Sequence, residues 1–315
     1  MAGVAPGRSP PAGAREGVRV AVSESESETA ARKTVLVTGA AGYVASQLLP
    51  AFRERYDLRL VDITREGRGG WVVDDVLLHD LRETDLERHR ALFAGAHAVV
   101  HLAHNRGPRP GGVRRYEDEK RNVDMAYHVY QLALEEGLER VVMASSNHAA
   151  DWYEDRVLAG EREAVTPDER PLARTFYGWA KAAYEHMGFL YAQGTFGRPL
   201  GVVQVRIGHP RGLEHYDFTG RPGAFKRNLG AFISARDLAQ LFCRALDTPD
   251  IADAGGVPFQ IVYGISDNTR AFWSLSNARR VLGYAPQDDS ELLYAETVAR
   301  LLGASPGRSG TGGDE

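Results

Sequence analysis

Tyr177 and Lys181 stand four residues apart in a helix-patterned stretch, so both side chains leave one face of the helix about a turn from each other. An ammonium beside a phenol favours the phenolate and draws its pKa down from about 10. Such a phenol can exchange a proton with a sugar hydroxyl or carbonyl. Ser146 ends the strand-like run Arg140–Ser146 and offers a hydroxyl to the same substrate oxygen. Tyr177, Lys181 and Ser146 are therefore the candidate catalytic residues. A tyrosine and a lysine at this spacing recur by chance, and the motifs upstream are what give the pair weight.

The first of these motifs is Thr38–Gly39–Ala40–Ala41–Gly42–Tyr43–Val44–Ala45, between the apolar run Thr34–Val37 and the helical pattern Ser46–Leu49. A glycine-rich turn from strand to helix aims backbone N–H groups at an anion, and the helix N-terminus adds partial positive charge. This suits a pyrophosphate. Gly39 permits the tight turn, Gly42 leaves no Cβ in the way of the phosphates, and Ala45 is the small residue where helix packs on strand. Gly39, Ala41, Gly42, Tyr43 and Val44 are the candidate cofactor contacts here. The next strand ends on Asp62, an acid placed to accept from the adenosine ribose hydroxyls and to repel a 2′-phosphate. It predicts NAD rather than NADP, a preference that nearby Arg65 tempers.

These residues need a scaffold that brings strand ends together. Periodicity predicts strands at Val35–Thr38, Leu58–Val61, Trp71–Val73, Ala98–Leu102, Arg140–Ser146 and Leu200–Val205. It predicts helices at Ala45–Glu54, Glu83–Phe93, Val113–Glu136 and Thr175–Gln193. Strands alternating with helices imply an α/β fold with a doubly wound, mostly parallel sheet, whose ligand lies at the carboxyl ends of the strands. The expected division is a disordered extension at 1–31, a dinucleotide-binding domain at 32–205, a mainly substrate-binding lobe at 206–303 that also contributes to the core, and a disordered tail at 304–315.

With 315 residues, 43% of them apolar and 25% charged, the chain is an ordinary globular one with room for a large α/β domain and a smaller lobe. A net charge of −4 gives no footprint for nucleic acid or an anionic membrane. The single cysteine, Cys243, excludes an internal disulfide framework and a cysteine-rich metal site, and no bound metal is expected. No apolar stretch approaches the roughly 20 residues that span a bilayer, so cytoplasmic residence is expected.

Taken together, Thr38-Gly39-x-x-Gly42-x-x-Ala45, Asp62, Asp80–Leu81, Val100-His101-Leu102-Ala103, Asn122, Ser146 and Tyr177-x-x-x-Lys181 resemble the extended short-chain dehydrogenase/reductases of the NAD-dependent epimerase/dehydratase type. The likeness covers most of Lys33–Val205, with Ala45 where the family has its last glycine. It implies a Rossmann-type domain holding NAD, with Asp80 and Leu81 near the adenine and Leu102, Ala103 and Asn122 also beside the cofactor. It implies Lys181 on the nicotinamide ribose and Tyr177 as acid/base. By analogy it also implies a homo-oligomer, a dimer first, paired through the two long helices.

Three further segments are similar to the uronate dehydrogenases, which oxidise C1 of a hexuronic acid to an aldarolactone with NAD. They are Ser145–His148, Arg227–Ser234 and Tyr263–Trp273 with Leu282–Asp288. This resemblance implies Ser146, Asn147 and His148 around the sugar hydroxyls, Arg227 on the substrate carboxylate and Phe272 against the ring. A planar guanidinium fork suits a carboxylate.

The chain departs from that family in three places. Arg106 stands where the serine after the fourth strand is usual, His209–Pro210–Arg211 replaces small polar residues, and a short insertion separates His148 from Tyr177. Arg106 and His209 are added to the candidate substrate contacts, and the extra cations point to a more anionic substrate such as a sugar phosphate or nucleotide sugar. The expected activity is NAD-dependent oxidation of a sugar hydroxyl, with C1 of a hexuronic acid first. The alternatives are an epimerase, dehydratase or dehydrogenase acting on a nucleotide sugar or sugar phosphate, and a non-catalytic dinucleotide sensor. The intact Ser146, Tyr177 and Lys181 speak against the last.

Overall fold

Short runs rich in Val and Leu form one seven-stranded sheet in the computed structural model, which describes residues 32–67, 69–106 and 116–303 together with Gly3. The chain divides into two units, Met1–Ala31 and Arg32–Glu315. The expected extension at 1–31 and tail at 304–315 lie outside the described residues, apart from Gly3.

The strands are β1 (Thr34–Thr38), β2 (Asp57–Asp62), β3 (Leu77–Leu78), β4 (Ala98–His101), β5 (Arg140–Ser146), β6 (Gly201–Ile207) and β7 (Phe259–Gly264). Their order is β3-β2-β1-β4-β5-β6-β7, and every pairing is parallel. The helices that matter for the site are α1 (Tyr43–Arg55), α2 (Glu87–Phe93), α3 (Tyr116–Glu135), α4 (Glu154–Leu158), α5 (Phe176–Ala192), α6 (Pro222–Ala231) and α7 (Ala235–Asp247).

Alternate side chains of a strand point to opposite faces. Val35 and Val37 of β1 pack with Leu48 and Phe52 of α1 and Leu241 and Phe242 of α7. Between them, Leu36 joins the other core, with Val129 and Tyr130 of α3 and Ala180 and Tyr184 of α5. Both faces are thus covered, which is why the strands read as continuous apolar runs. The chain steps from β1 outward through β2 to β3, then crosses back to place β4 on the other side of β1. That reversal opens a crevice at the carboxyl ends of β1 and β4, where such sheets bind ligands.

Two elements differ from expectation. Trp71–Val73 is not a sheet strand: Val72 makes one antiparallel bridge to Glu66, and the third strand is the exposed pair Leu77–Leu78. The reason lies in Trp71. Its indole Nε1 donates to the Ala41 carbonyl at 3.1 Å, and its ring meets Tyr43 edge-on at 6.0 Å. The aromatic residue folds onto the glycine-rich turn rather than into the sheet, and a two-residue strand carries no periodicity to read. β7, absent from the expected strands, arises within 206–303 and extends the sheet beyond β6. The expected start of α3 at 113–115 lies outside the described residues.

Candidate active site

α1 follows Gly42, which offers no side-chain cap, and has no acid in its first turn, so its first N–H groups face the crevice without an internal anion. Gly39 has φ 73°, and a Cβ on it would lie 2.5 Å from the Ala103 backbone nitrogen. Only glycine lets the turn after β1 approach the segment after β4 so closely. Asp62 is held at the rim: its Oδ2 accepts from the Ala41 N–H at 3.0 Å and its Oδ1 from the Ile63 N–H at 2.7 Å. These features fit a dinucleotide, with Gly39–Val44 against its phosphates and Asp62 for its ribose. Asp62→Asn removes the charge but little volume. The expected result is a shift of the kcat/KM ratio for NAD over NADP by about tenfold toward NADP, the size of one charge-assisted hydrogen bond. Steady-state kinetics with both cofactors check this, and an unchanged ratio would remove Asp62 from cofactor choice.

Asp80 and Leu81 line the same crevice. Arg82 bonds Asp80 through Nε at 2.8 Å and Nη2 at 2.6 Å and holds its carboxyl below the usual range. Arg211 also lines the crevice, 5.0 Å from the Tyr43 ring, which puts a cation against the glycine-rich turn. Leu102 and Ala103 complete this side.

At the other end, Lys181 is buried. Its Nζ donates to the Ala144 carbonyl at 2.8 Å and stands 5.7 Å from the Tyr177 ring centre. Tyr177 is met edge-on by His104 at 5.4 Å and His148 at 5.8 Å. Ser146 caps the 3-10 helix Asn147–Tyr153: its Oγ accepts from the His148 N–H at 3.2 Å and donates to Asn147 Oδ1 at 3.3 Å. What joins these pieces is Gly178, where a Cβ would collide with the His148 carbonyl oxygen. The first turn of α5 therefore rests directly on the segment that follows β5. Ser146, Tyr177 and Lys181 share a cavity of about 1040 Å³ with Gly39, Gly42, Asp62, Arg106 and His209.

Two imidazoles are kept neutral, His209 in the cavity wall and His101 buried at the end of β4. Burial, then the Lys181 charge, pushes His101 down to about 3, while its Nδ1 lies 2.7 Å from Thr38 Oγ1. Burial, then the charges of Arg227 and Arg211, pushes His209 down to about 4.

Behind the site lies a buried ion pair that sequence reasoning missed. Glu185 of α5 takes Arg206 Nε and Nη2, each at 2.8 Å, and the Ser145 hydroxyl at 2.7 Å, while Arg206 also donates to the Tyr263 hydroxyl at 2.9 Å. This fixes the helix carrying Tyr177 and Lys181 to the ends of β5, β6 and β7. An arginine inside the apolar run Val202–Ile207 was the available signal, because such a charge needs a buried partner.

Five expected contacts are not among the cavity-lining residues. Asn122 is fully buried and pins the segment after β4, accepting the Asn105 N–H at 2.7 Å and donating to its carbonyl at 3.0 Å. Asn147 is buried under Ser146. His148 meets the Tyr177 ring edge-on, and its Nδ1 is bonded to Asp151 at 3.0 Å. Phe272 belongs to the core, stacked on Trp273 at 3.8 Å. Arg227 is engaged from within the chain: Nε and Nη2 donate to the two carboxylate oxygens of Glu154 at 2.9 and 2.8 Å. Among the residues sequence reasoning left unassigned, Trp71, His79, His104 and Tyr216 line the cavity.

A family model described as "NAD dependent epimerase/dehydratase family" matches residues 35–224. The chain belongs to the NAD-dependent epimerase/dehydratase family. It is similar to an NAD-dependent glucose-6-phosphate dehydrogenase of Haloferax volcanii, at 34% identity over 81% of this chain and 94% of that protein. It is also similar to a uronate dehydrogenase of Pseudomonas syringae pv. tomato, at 30% identity over 86% of this chain and 87% of that protein. Among solved structures, a mutated uronate dehydrogenase superposes with a TM-score of 0.66 at 26% identity, covering 87% of this chain and 88% of that one. This epimerase/dehydratase-family member is an NAD-binding oxidoreductase acting on a CH–OH group. Among its described residues, no helix is long and apolar enough to cross a membrane.

Proposed function

We propose that the protein is an NAD-dependent aldose 1-dehydrogenase that oxidises the C1 hydroxyl of a cyclic, anionic aldose to the lactone. The observation that carries this is the meeting of Tyr177, Lys181 and Ser146 in one cavity with the uncapped start of α1 and Asp62. NAD held against Gly39, Gly42 and Asp62 would supply the acceptor for the C1 hydride. Tyr177 removes the hydroxyl proton, leaving the C1 carbonyl, and Ser146 hydrogen-bonds the reacting oxygen. Lys181, anchored on Ala144, holds positive charge beside the phenol.

Relatives named for glucose 6-phosphate, uronate and L-arabinose dehydrogenation support a sugar as substrate. The hexuronic acid expected first from sequence loses support, because Glu154 already fills the guanidinium of Arg227. A phosphorylated aldose gains it from the relative named for glucose 6-phosphate and from a cavity lined by two arginines, Arg106 and Arg211. The test is a panel of aldose phosphates, free uronic acids and nucleotide sugars, followed by absorbance of the reduced cofactor. An aldose phosphate such as glucose 6-phosphate is expected to give the highest kcat/KM. Conversion of a nucleotide sugar with no net reduced cofactor would instead identify an epimerase or dehydratase.

The proposal includes the division into a dinucleotide domain at 32–205 and a substrate lobe at 206–303, and cytoplasmic residence, which the buried free thiol of Cys243 supports. It also includes a homodimer. Tyr116 of α3 and Phe176 and Trp179 of α5 form an exposed aromatic cluster, the kind of patch that partners cover. Light scattering is expected to give twice the chain mass, and the mass of one chain would refute the dimer.

A further inference from the structure

Arg227 and Glu154 are the ion pair that the catalytic account leaves unused. The guanidinium and carboxylate meet edge to edge through two hydrogen bonds, with side chains only 18% and 10% exposed. The guanidinium also stands 5.4 Å from the ring centre of Trp273, which is buried. The helix that carries Arg227, α6, ends at Ala231, whose carbonyl accepts from the backbone N–H of His209, a cavity residue, at 2.6 Å. Glu154 is reached directly from catalytic Ser146 along the 3-10 helix Asn147–Tyr153. It opens α4, within the stretch between His148 and Tyr177, and that stretch is tied down farther on. Val165 N–H donates to the Phe272 carbonyl at 2.7 Å, and Ser274 N–H to the Val165 carbonyl at 2.9 Å. The pair is thus a bidentate, nearly buried feature joined through short segments to two cavity residues, Ser146 and His209.

We propose that Glu154 acts as a built-in carboxylate that occupies the Arg227 fork and thereby sets specificity against aldoses bearing their own carboxylate. This rests on the aldose dehydrogenase reading and adds to it the residue that chooses the anion. A guanidinium offers one planar fork matched to one carboxylate. With Glu154 in it, an incoming carboxylate meets a neutralised pair, sheds its hydration and gains no partner. Displacing Glu154 would strand a nearly buried charge, which is strongly unfavourable. A substrate whose negative charge is a phosphate read by Arg106 does not need this fork.

The test compares the wild type with Glu154→Gln and Glu154→Ala. For each, kcat/KM is measured with glucuronate, galacturonate and glucose 6-phosphate. The ratio of uronate to phosphate-sugar kcat/KM is expected to rise about tenfold or more in both variants, chiefly through a lower uronate KM. Glu154→Ala is also expected to melt at a lower temperature than the wild type and to be restabilised by acetate but not by chloride at equal concentration. Acetate-specific recovery reads the vacated fork without any turnover, so it separates this proposal from failure of the dehydrogenase reading. An unchanged ratio in a folded, active variant would overturn the proposal. So would a wild type that already prefers uronates, or melting that acetate does not restore.

Discussion

Tyr177→Phe is expected to lower kcat by about 10²- to 10⁴-fold, the range that one positioned acid/base supplies. NAD affinity should change by less than about twofold, well under the 1.4 kcal/mol that a tenfold change requires. The substitution removes one oxygen and keeps the ring, so the edge contacts to His104 and His148 survive. Lys181 keeps its bond to the Ala144 carbonyl, and the start of α1 and Asp62 are untouched. Binding and chemistry should therefore separate cleanly. Turnover measured with saturating NAD, beside a fluorescence titration of the cofactor, checks both halves. A variant that turns over like the wild type would mean that another group moves the proton.

Gly178→Ala is the second large effect, and here two magnitudes compete. Alanine is favoured over glycine inside a helix by about 1 kcal/mol. The added methyl, however, runs into the His148 carbonyl oxygen. That oxygen belongs to a 3-10 helix most of whose residues are buried and which cannot yield by rotating a side chain. Overpacking of this kind costs about 1–3 kcal/mol, so the clash outweighs the propensity gain. The strain is relieved by moving the first turn of α5 outward, and that turn carries Tyr177. Displacement of a reacting group by about 1 Å costs about 10²-fold in rate. The expected variant binds NAD, melts earlier and loses about 10²-fold in kcat. Wild-type kcat and melting temperature in Gly178→Ala would show that the approach of α5 to His148 does not position the phenol.

Residues whose chemistry sits at element ends with local spacing were legible in the sequence. The Gly39–Val44 turn, Asp62, Ser146 and the Tyr177/Lys181 pair each follow from a strand end or one helical turn, and all of them except buried Ala40 line the cavity. The parallel sheet was legible because strand-like and helix-like runs alternate along the chain. What stayed hidden depends on partners remote in sequence. Nothing local says that the Arg227 fork is taken by Glu154, or that Arg206 of β6 needs Glu185 of α5. Trp71 reads as a strand residue because propensity records its bulk and not the Ala41 carbonyl it bonds. Asn122 and Phe272 have the chemical character of ligands, yet one ties down a loop and the other fills the core. Side-chain type was readable there, and side-chain direction was not.

Oxidation at C1 of an aldose requires net transfer of the C1 hydrogen to the nicotinamide. The direct measurement uses glucose 6-phosphate deuterated at C1, NAD and the purified protein, with the reduced cofactor and the sugar product read by mass spectrometry. Deuterium in the reduced nicotinamide, matched by its loss from a lactone or aldonate product, is the expected outcome. Sugar converted with its deuterium retained and no reduced cofactor released would contradict it.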